Sequence, residues 1–149
     1  MPLSAEDEKN RCGHSFWSQV LKIEKINHVS INVIDAARSF DFYGRVLALK
    51  QQETVDCGDF NITYFGLPDG SRLELFDYHG KNSSLPRPES EVGLRHLAFE
   101  VKDVAAHEVY LRSQGVEITL ATCDLPNLGA RVMLFLDPNN VTLEFCEPL

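Results

Sequence analysis

The 149-residue chain carries 14 Lys and Arg against 22 Asp and Glu, a formal net charge of −8, and 44% of its residues are hydrophobic. A chain of about 150 residues buries roughly 70% of its unfolded surface, so it needs neither a disulfide nor a metal merely to fold. The acidic balance, without a basic stripe, argues against nucleic acid and anionic membrane as partners, and no apolar run approaches the roughly 20 residues that span a bilayer.

Residues 1–22 read as an N-terminal extension. Its start (MPLSAEDEKNRCGH) is acidic and polar, the reverse of the basic-then-apolar order of a secretory signal. Cys12, Cys57, Cys123 and Cys146 are scattered and form no C-x-x-C pair, so a reducing, cytoplasmic setting is the expectation. Ser4 and Asp7 resemble a capping pair, and Phe16, Trp17, Val20 and Leu21 would cover an apolar patch. A packing or dimer-contact helix is expected there, ahead of a functional lid.

The remaining chain, 23–149, repeats itself. Residues 26–43 (INHVSINVIDAARSFDFY) align with 94–111 (LRHLAFEVKDVAAHEVYL) at an offset of 68, which sets His28 on His96, Val33 on Val101 and Asp35 on Asp103. Residues 64–76 (YFGLPDGSRLELF) align with 134–146 (LFLDPNNVTLEFC) at an offset of 70, which sets Phe65 on Phe135, Pro68 on Pro138 and Glu74 on Glu144. So long a period points to two supersecondary modules packed as a pair rather than to a solenoid.

In chain order, module one (about 24–78) opens with an alternating strand through Val29, Ile31 and Val33. Asp35 then caps a helix carrying Phe40, Tyr43 and Leu47. Two or three strands follow, the last pair joined by the turn Pro68-Asp69-Gly70. A polar stretch with two prolines, 79–93, reads as the linker. Module two (about 94–147) repeats the plan: a strand through Leu97, Phe99 and Val101, a helix capped by Asp103 and stopped near Gly115, then strands joined at Pro138-Asn139-Asn140. The fold class is α+β, built as two tandem β-α-β-β-β units.

Strand parity selects the chemistry. Side chains alternate across a strand, so His28, Ser30 and Asn32 oppose Val29, Ile31 and Val33, while Glu74 and Phe76 oppose Leu73 and Leu75. Module two repeats this, with His96 and Ala98 against Leu97 and Phe99, and Glu144 and Cys146 against Leu143 and Phe145. The apolar set should meet the helix. The other set holds one His and one Glu per module, and a pseudo-twofold packing of the modules would let all four converge. A lone strand His is more often a satisfied residue, and a lone Glu a solvated one. Here both types recur at matched positions, and charged Glu between strongly apolar neighbours is costly unless paired or metal-bound. Two imidazoles and two carboxylates without thiolate suit one divalent ion: Zn, Ni, Co, Mn or Fe.

The segments HVSINVIDAARSFDFYGRVLAL, GLRHLAFEV and DPNNVTLEFCEP together resemble the vicinal oxygen chelate superfamily, the glyoxalase I, bleomycin-resistance and extradiol-dioxygenase group, over about residues 24–147. The resemblance implies paired modules whose mixed sheets curl around a metal held by His28, Glu74, His96 and Glu144. Extradiol dioxygenases resemble a two-His, one-carboxylate iron pattern. The extra ligand Glu74 is more like glyoxalase I and its isomerase relatives, and a methylmalonyl-CoA epimerase more typically has Gln there. What this implies is a metal-dependent lyase or isomerase acting on a small α-hydroxy-carbonyl or thiohemiacetal substrate through an enediolate. Glu144, or else Glu74, would be the general base. Two departures from the glyoxalase I pattern, Asn32 in place of an Arg and Tyr78 in place of an Asn, argue against glutathione as cosubstrate. The alternatives are an Fe(II) extradiol-type dioxygenase, or a non-catalytic small-molecule binder of the resistance type.

Wall residues expected from parity are Ser30, Asn32, Arg72, Phe76, Ala98, Glu100, Thr142 and Cys146, with Arg72 equally open to a rim salt bridge. A homodimer is expected, with the modules pairing within a chain or exchanging between chains. His14 is uninformative, His79 reads as a loop histidine rather than a stray ligand, His107 as a residue of a solvated helix face without a counterpart at the matching Ser39, and Cys146 as a packing thiol rather than a reactive one.

Overall fold

The structure is a computed structural model that describes residues 22–82, 90 and 92–149. The helix expected around Phe16 and Trp17, and most of the linker, lie outside the described residues.

Module one begins with β1 (His28–Val33), whose odd-numbered side chains Ile31 and Val33 are buried. Asp35 ends the strand and caps α1 (Ala36–Asp41), its Oδ1 accepting from Arg38 N at 3.0 Å. The helix expected to run on through Leu47 instead widens into a π-turn at Phe42–Val46, closed by Leu47 N donating to Phe42 O at 2.8 Å. Gly44 lies in this turn, where an added Cβ would stand 3.5 Å from the Phe65 ring. Glycine holds a regular α-helix poorly, and the turn widens where the chain passes that ring. The module finishes with β2 (Lys50–Asp56), β3 (Asn61–Gly66) and β4 (Arg72–Asp77).

Module two consists of β5 (Leu97–Glu100), α2 (Val104–Ser113), β6 (Ile118–Leu125), a short 3-10 turn at Pro126–Leu128, β7 (Ala130–Leu136) and β8 (Thr142–Pro148). Asp103 caps α2 from the left-handed region, φ 60°. That conformation is unfavourable for a residue with a Cβ. It is held from outside by Glu147, whose carboxylate accepts from Asp103 N at 2.8 Å and Val104 N at 3.2 Å. A negative group at a helix N-terminus is favourable, so the end of β8 seats α2.

Each module forms a four-stranded mixed sheet, in the orders β1-β4-β3-β2 and β5-β8-β7-β6. The parallel pairs are β1 with β4 and β5 with β8; the other neighbours are antiparallel. The sheets are open, and β1 and β5 are each an outer strand. The apolar parity set lies beneath the helices as expected. Val33, Phe65, Leu73 and Leu75 of module one join Val104, Leu111, Met133, Phe135 and Leu143 of module two in a single core cluster.

Polar contacts fasten the modules on this side. Tyr43 donates to Asp137 Oδ2 at 2.8 Å, Ile34 N donates to Asn139 Oδ1 at 2.9 Å, and Asn139 Nδ2 donates to Ser39 Oγ at 3.1 Å. Tyr43, Ser39, Asp137 and Asn139 are all buried. No described helix is long and apolar enough to cross a membrane.

Candidate metal centre

Register places each His beside its Glu. β1 and β4 run parallel with Ser30 opposite Glu74, so His28 and Glu74 project from neighbouring strands on one face. His28 Nδ1 stands 3.6 Å from Glu74 Oε1 and 2.8 Å from Asn27 Oδ1. In module two Ala98 lies opposite Glu144, and His96 Nε2 stands 3.2 Å from Glu144 Oε2. Two donors each ~2.1 Å from one ion stand about 3.0–3.4 Å apart in octahedral or tetrahedral geometry. The module-two pair falls within that range and the module-one pair slightly outside it, and nitrogen and oxygen donors of this kind are of the type that suits a divalent ion. On its other side His96 Nδ1 is buried without a hydrogen-bond partner among the described residues, an unmet polar demand that calls for a further partner.

Within the chain the four groups stand as two pairs. Among the described residues, no three His, Cys, Asp or Glu side chains come close enough to hold an ion together. The pairs also differ. The Glu74 side chain is only 8% exposed and accepts from Ser30 Oγ at 2.9 Å. Glu144 is 17% exposed, and the residue matching Ser30 is Ala98, which has no donor. Of the two imidazoles, His28 is the more open, at 45% against 27% for His96.

Around the pairs, Asn32, Ala98 and Glu100 are exposed, and Thr142 and Cys146 half-buried. The Cys146 thiol donates to Phe99 O, with 3.6 Å between sulfur and oxygen. Burial first, then the charges of Glu144 and Glu100, push it above the ordinary thiol range, which disfavours the reactive thiolate. Arg72 forms the rim ion pair considered for it, Nη1 to Glu53 Oε1 at 3.3 Å, and also lies over the Tyr64 ring. His79 is an exposed loop residue. His107 is a correction: it is half-buried, edge-on to Phe145 with centroids 5.2 Å apart.

Two features of this face escaped the sequence reading. Tyr64 is the cross-strand partner of Glu74, which extending the parity argument to β3 would have found. Phe60 reaches the face from the loop before β3 and packs on Phe76 and Tyr78, with centroids at 5.4 and 5.1 Å; strand parity carries no signal for a loop residue. A cavity of about 770 Å³, lined by Val29, Leu97, Phe99 and Phe145 among others, includes none of the four His and Glu residues in its wall. It belongs to the helix side of the sheets.

A family model described as the Glyoxalase/Bleomycin resistance protein/Dioxygenase superfamily matches residues 25–145. The uncharacterized protein YaeR of Escherichia coli (strain K12) is 32% identical over 130 residues, covering 86% of this chain and 99% of that protein. Methylmalonyl-CoA epimerase, mitochondrial, of Mus musculus is 24% identical over 129 residues, covering 83% of this chain and 71% of that protein. The crystal structure of a glyoxylase/bleomycin resistance protein/dioxygenase domain from Frankia sp. EAN1pec superposes with a TM-score of 0.73 at 27% identity, covering 86% of this chain and all of that one. With two matched modules and a family match running through both, the chain belongs to the Glyoxalase/Bleomycin resistance protein/Dioxygenase superfamily.

Proposed function

We propose that this protein is a metal-dependent lyase or isomerase that moves a proton α to a carbonyl of a small substrate through an enediolate, as a glyoxalase I-like enzyme would. The observation that carries the reading is the pair of His–Glu edges, 3.6 and 3.2 Å across, at matched register in the two modules. His28, Glu74, His96 and Glu144 would hold one divalent ion. The chemistry such an ion supplies when bound is Lewis-acid stabilisation of the negative charge that develops on a carbonyl oxygen. The Ser30 hydroxyl fixes Glu74 in a holding role. Glu144, without such a tether, is the better placed to take the proton at carbon and return it. The mouse relative is named for an epimerisation, and a reaction of that kind also begins by removing a proton next to a carbonyl. Glu74 is buried, tethered and beside His28, which favours a four-ligand set over the three-ligand pattern of an extradiol dioxygenase.

The same reading makes the protein a homodimer in which each site takes one module from each chain. Within a chain, hydrogen bonds fasten the modules on the helix side, while β1 and β5, which lead from the two histidines, remain outer strands. A second copy's module can lie along such an edge and bring its own His and Glu opposite.

Natively purified protein should hold about one divalent ion per chain, as expected when each site uses four ligands drawn from two modules. Near-zero metal by elemental analysis, unchanged after adding Ni²⁺ or Zn²⁺, would refute the enzymatic reading. His28→Ala and His96→Ala should each lose metal. Refolded together, they should regain it in mixed dimers, where one site per dimer carries both intact modules. Absence of that recovery would place each site within a single chain.

A further inference from the structure

Strand register divides the face around Glu74 into zones. Lys50, Gly66, Arg72 and His28 are successive cross-strand partners and make one row; Tyr64, Glu74 and Ser30 make the next; Ile62, Phe76 and Asn32 make the third. Rows two residues apart along a strand are separated by about 6.8 Å. One side of Glu74 thus carries the cations Lys50 and Arg72, and the other the apolar Ile62 and Phe76 beside Asn32.

The cationic row is shaped to receive an anion. The Arg72 guanidinium carbon lies 4.1 Å from the Tyr64 centroid, which holds its plane over the ring that adjoins Glu74. Gly66, between Lys50 and Arg72 in the register, has no side chain, and the Gln52 amide occupies the space over it: a Cβ there would stand 2.9 Å from Gln52 Nε2. The present partner of Arg72 is Glu53 at 3.3 Å, in a pair whose side chains are 36% and 58% exposed. So exposed an ion pair is weak and is readily exchanged for a ligand's oxyanion, to which an arginine fork binds well.

On the other side, Phe60, Phe76 and Tyr78 form a wall with centroids 5.1–6.5 Å apart and interplanar angles of 24–37°. Tyr78 stands where a glyoxalase I-like chain would carry Asn. Module two repeats neither zone: Thr142 matches Arg72, Leu134 matches Tyr64 and Cys146 matches Phe76.

We propose that the site takes an organic oxyanion, a carboxylate or phosphate, held by Arg72 with Lys50 and Gln52. Its aryl or branched alkyl end stacks on Phe60, Phe76 and Tyr78, so that the carbon between the two ends lies over Glu74. The proposal rests on the reaction being at the His–Glu pairs and names the substrate class for it.

Calorimetric titration of the full chain with 3-phenylpropionate, its neutral amide and 2-phenylethyl phosphate tests this. At least one of the two anions should bind about tenfold or more tighter than the amide, as expected for a charge-assisted contact, and which anion binds tighter identifies the oxyanion. In Arg72→Gln and Arg72→Met the preference should fall below about threefold, whereas Phe76→Ala should weaken anion and amide alike. Wild-type protein without an anion preference overturns the proposal, and so does either variant that melts normally yet retains the preference. Metal bound to wild-type protein with no Arg72-dependent preference rejects this inference alone. An Arg72-dependent preference in a protein that takes up no metal rejects the enzymatic reading alone.

Discussion

Asp137→Ala should destabilise the protein by about 3–5 kcal/mol, the range for breaking a buried, charged hydrogen-bond network. The carboxylate is buried and accepts from Asn139 N at 2.7 Å, Val141 N at 2.8 Å, Asn139 Nδ2 at 2.9 Å and Tyr43 Oη at 2.8 Å. Removing it strips the β7–β8 turn of its organising acceptor and leaves a buried tyrosine hydroxyl unpaired. It also releases module one from module two, because Tyr43 belongs to the turn after α1. Chemical denaturation would measure the loss, and a change below about 1 kcal/mol would show the network to be dispensable. Tyr43→Phe should cost less, about 1–2 kcal/mol, since it deletes one donor and leaves three.

The same contact gives a pH signature. Burial first, then the charge of Asp137 and its hydrogen bond, raise the Tyr43 phenol well above its ordinary value of 10.0. A raised pKa means that the folded state keeps a proton which the unfolded state gives up. This contribution to stability is complete below about pH 10 and falls away as pH rises further. Denaturation midpoints followed from pH 9 upward should decline less steeply in Tyr43→Phe than in wild type.

Asp137 also marks where sequence reasoning stops. The repeat identified the strands, the faces and all four metal-ligand candidates, because apolar alternation and matched His and Glu positions are local and periodic. Asp137, however, aligns with Leu67, so the comparison of halves says nothing about it; its role arises only when module two meets Tyr43. The left-handed cap at Asp103 depends in the same way on Glu147, 44 residues away. The widening after Asp41 depends on the passage of Gly44 beside Phe65. His107 reads as solvated because the matching position in module one is Ser39, yet tertiary packing sets it against Phe145. The module boundaries are a proposal of the repeat, as is the convergence of the two His–Glu pairs, since each pair belongs to its own sheet.

The difference between the two glutamates supplies the second large effect. Glu144→Gln should lower turnover of an α-hydroxy-carbonyl probe by about 10²–10⁴-fold, the usual contribution of a general base, while the protein still binds its metal through three remaining ligands. Glu74→Gln should show the opposite balance. Its carboxylate is buried, tethered by Ser30 and beside His28, so the loss of its charge should fall mainly on metal affinity, lowering it by about tenfold or more. Measuring metal content and turnover on the same preparations separates the roles. A Glu144→Gln protein that turns over normally, with Glu74→Gln inactive at full metal occupancy, would exchange the two assignments. Ala98→Ser provides an independent check, because it places opposite Glu144 the hydroxyl that Ser30 presents to Glu74. If freedom from a tether is what lets Glu144 move a proton, that added hydroxyl should slow turnover without releasing metal, whereas Ser30→Ala, which frees Glu74, should weaken metal binding by about 10–100-fold and leave turnover of the metal-loaded protein nearly unchanged.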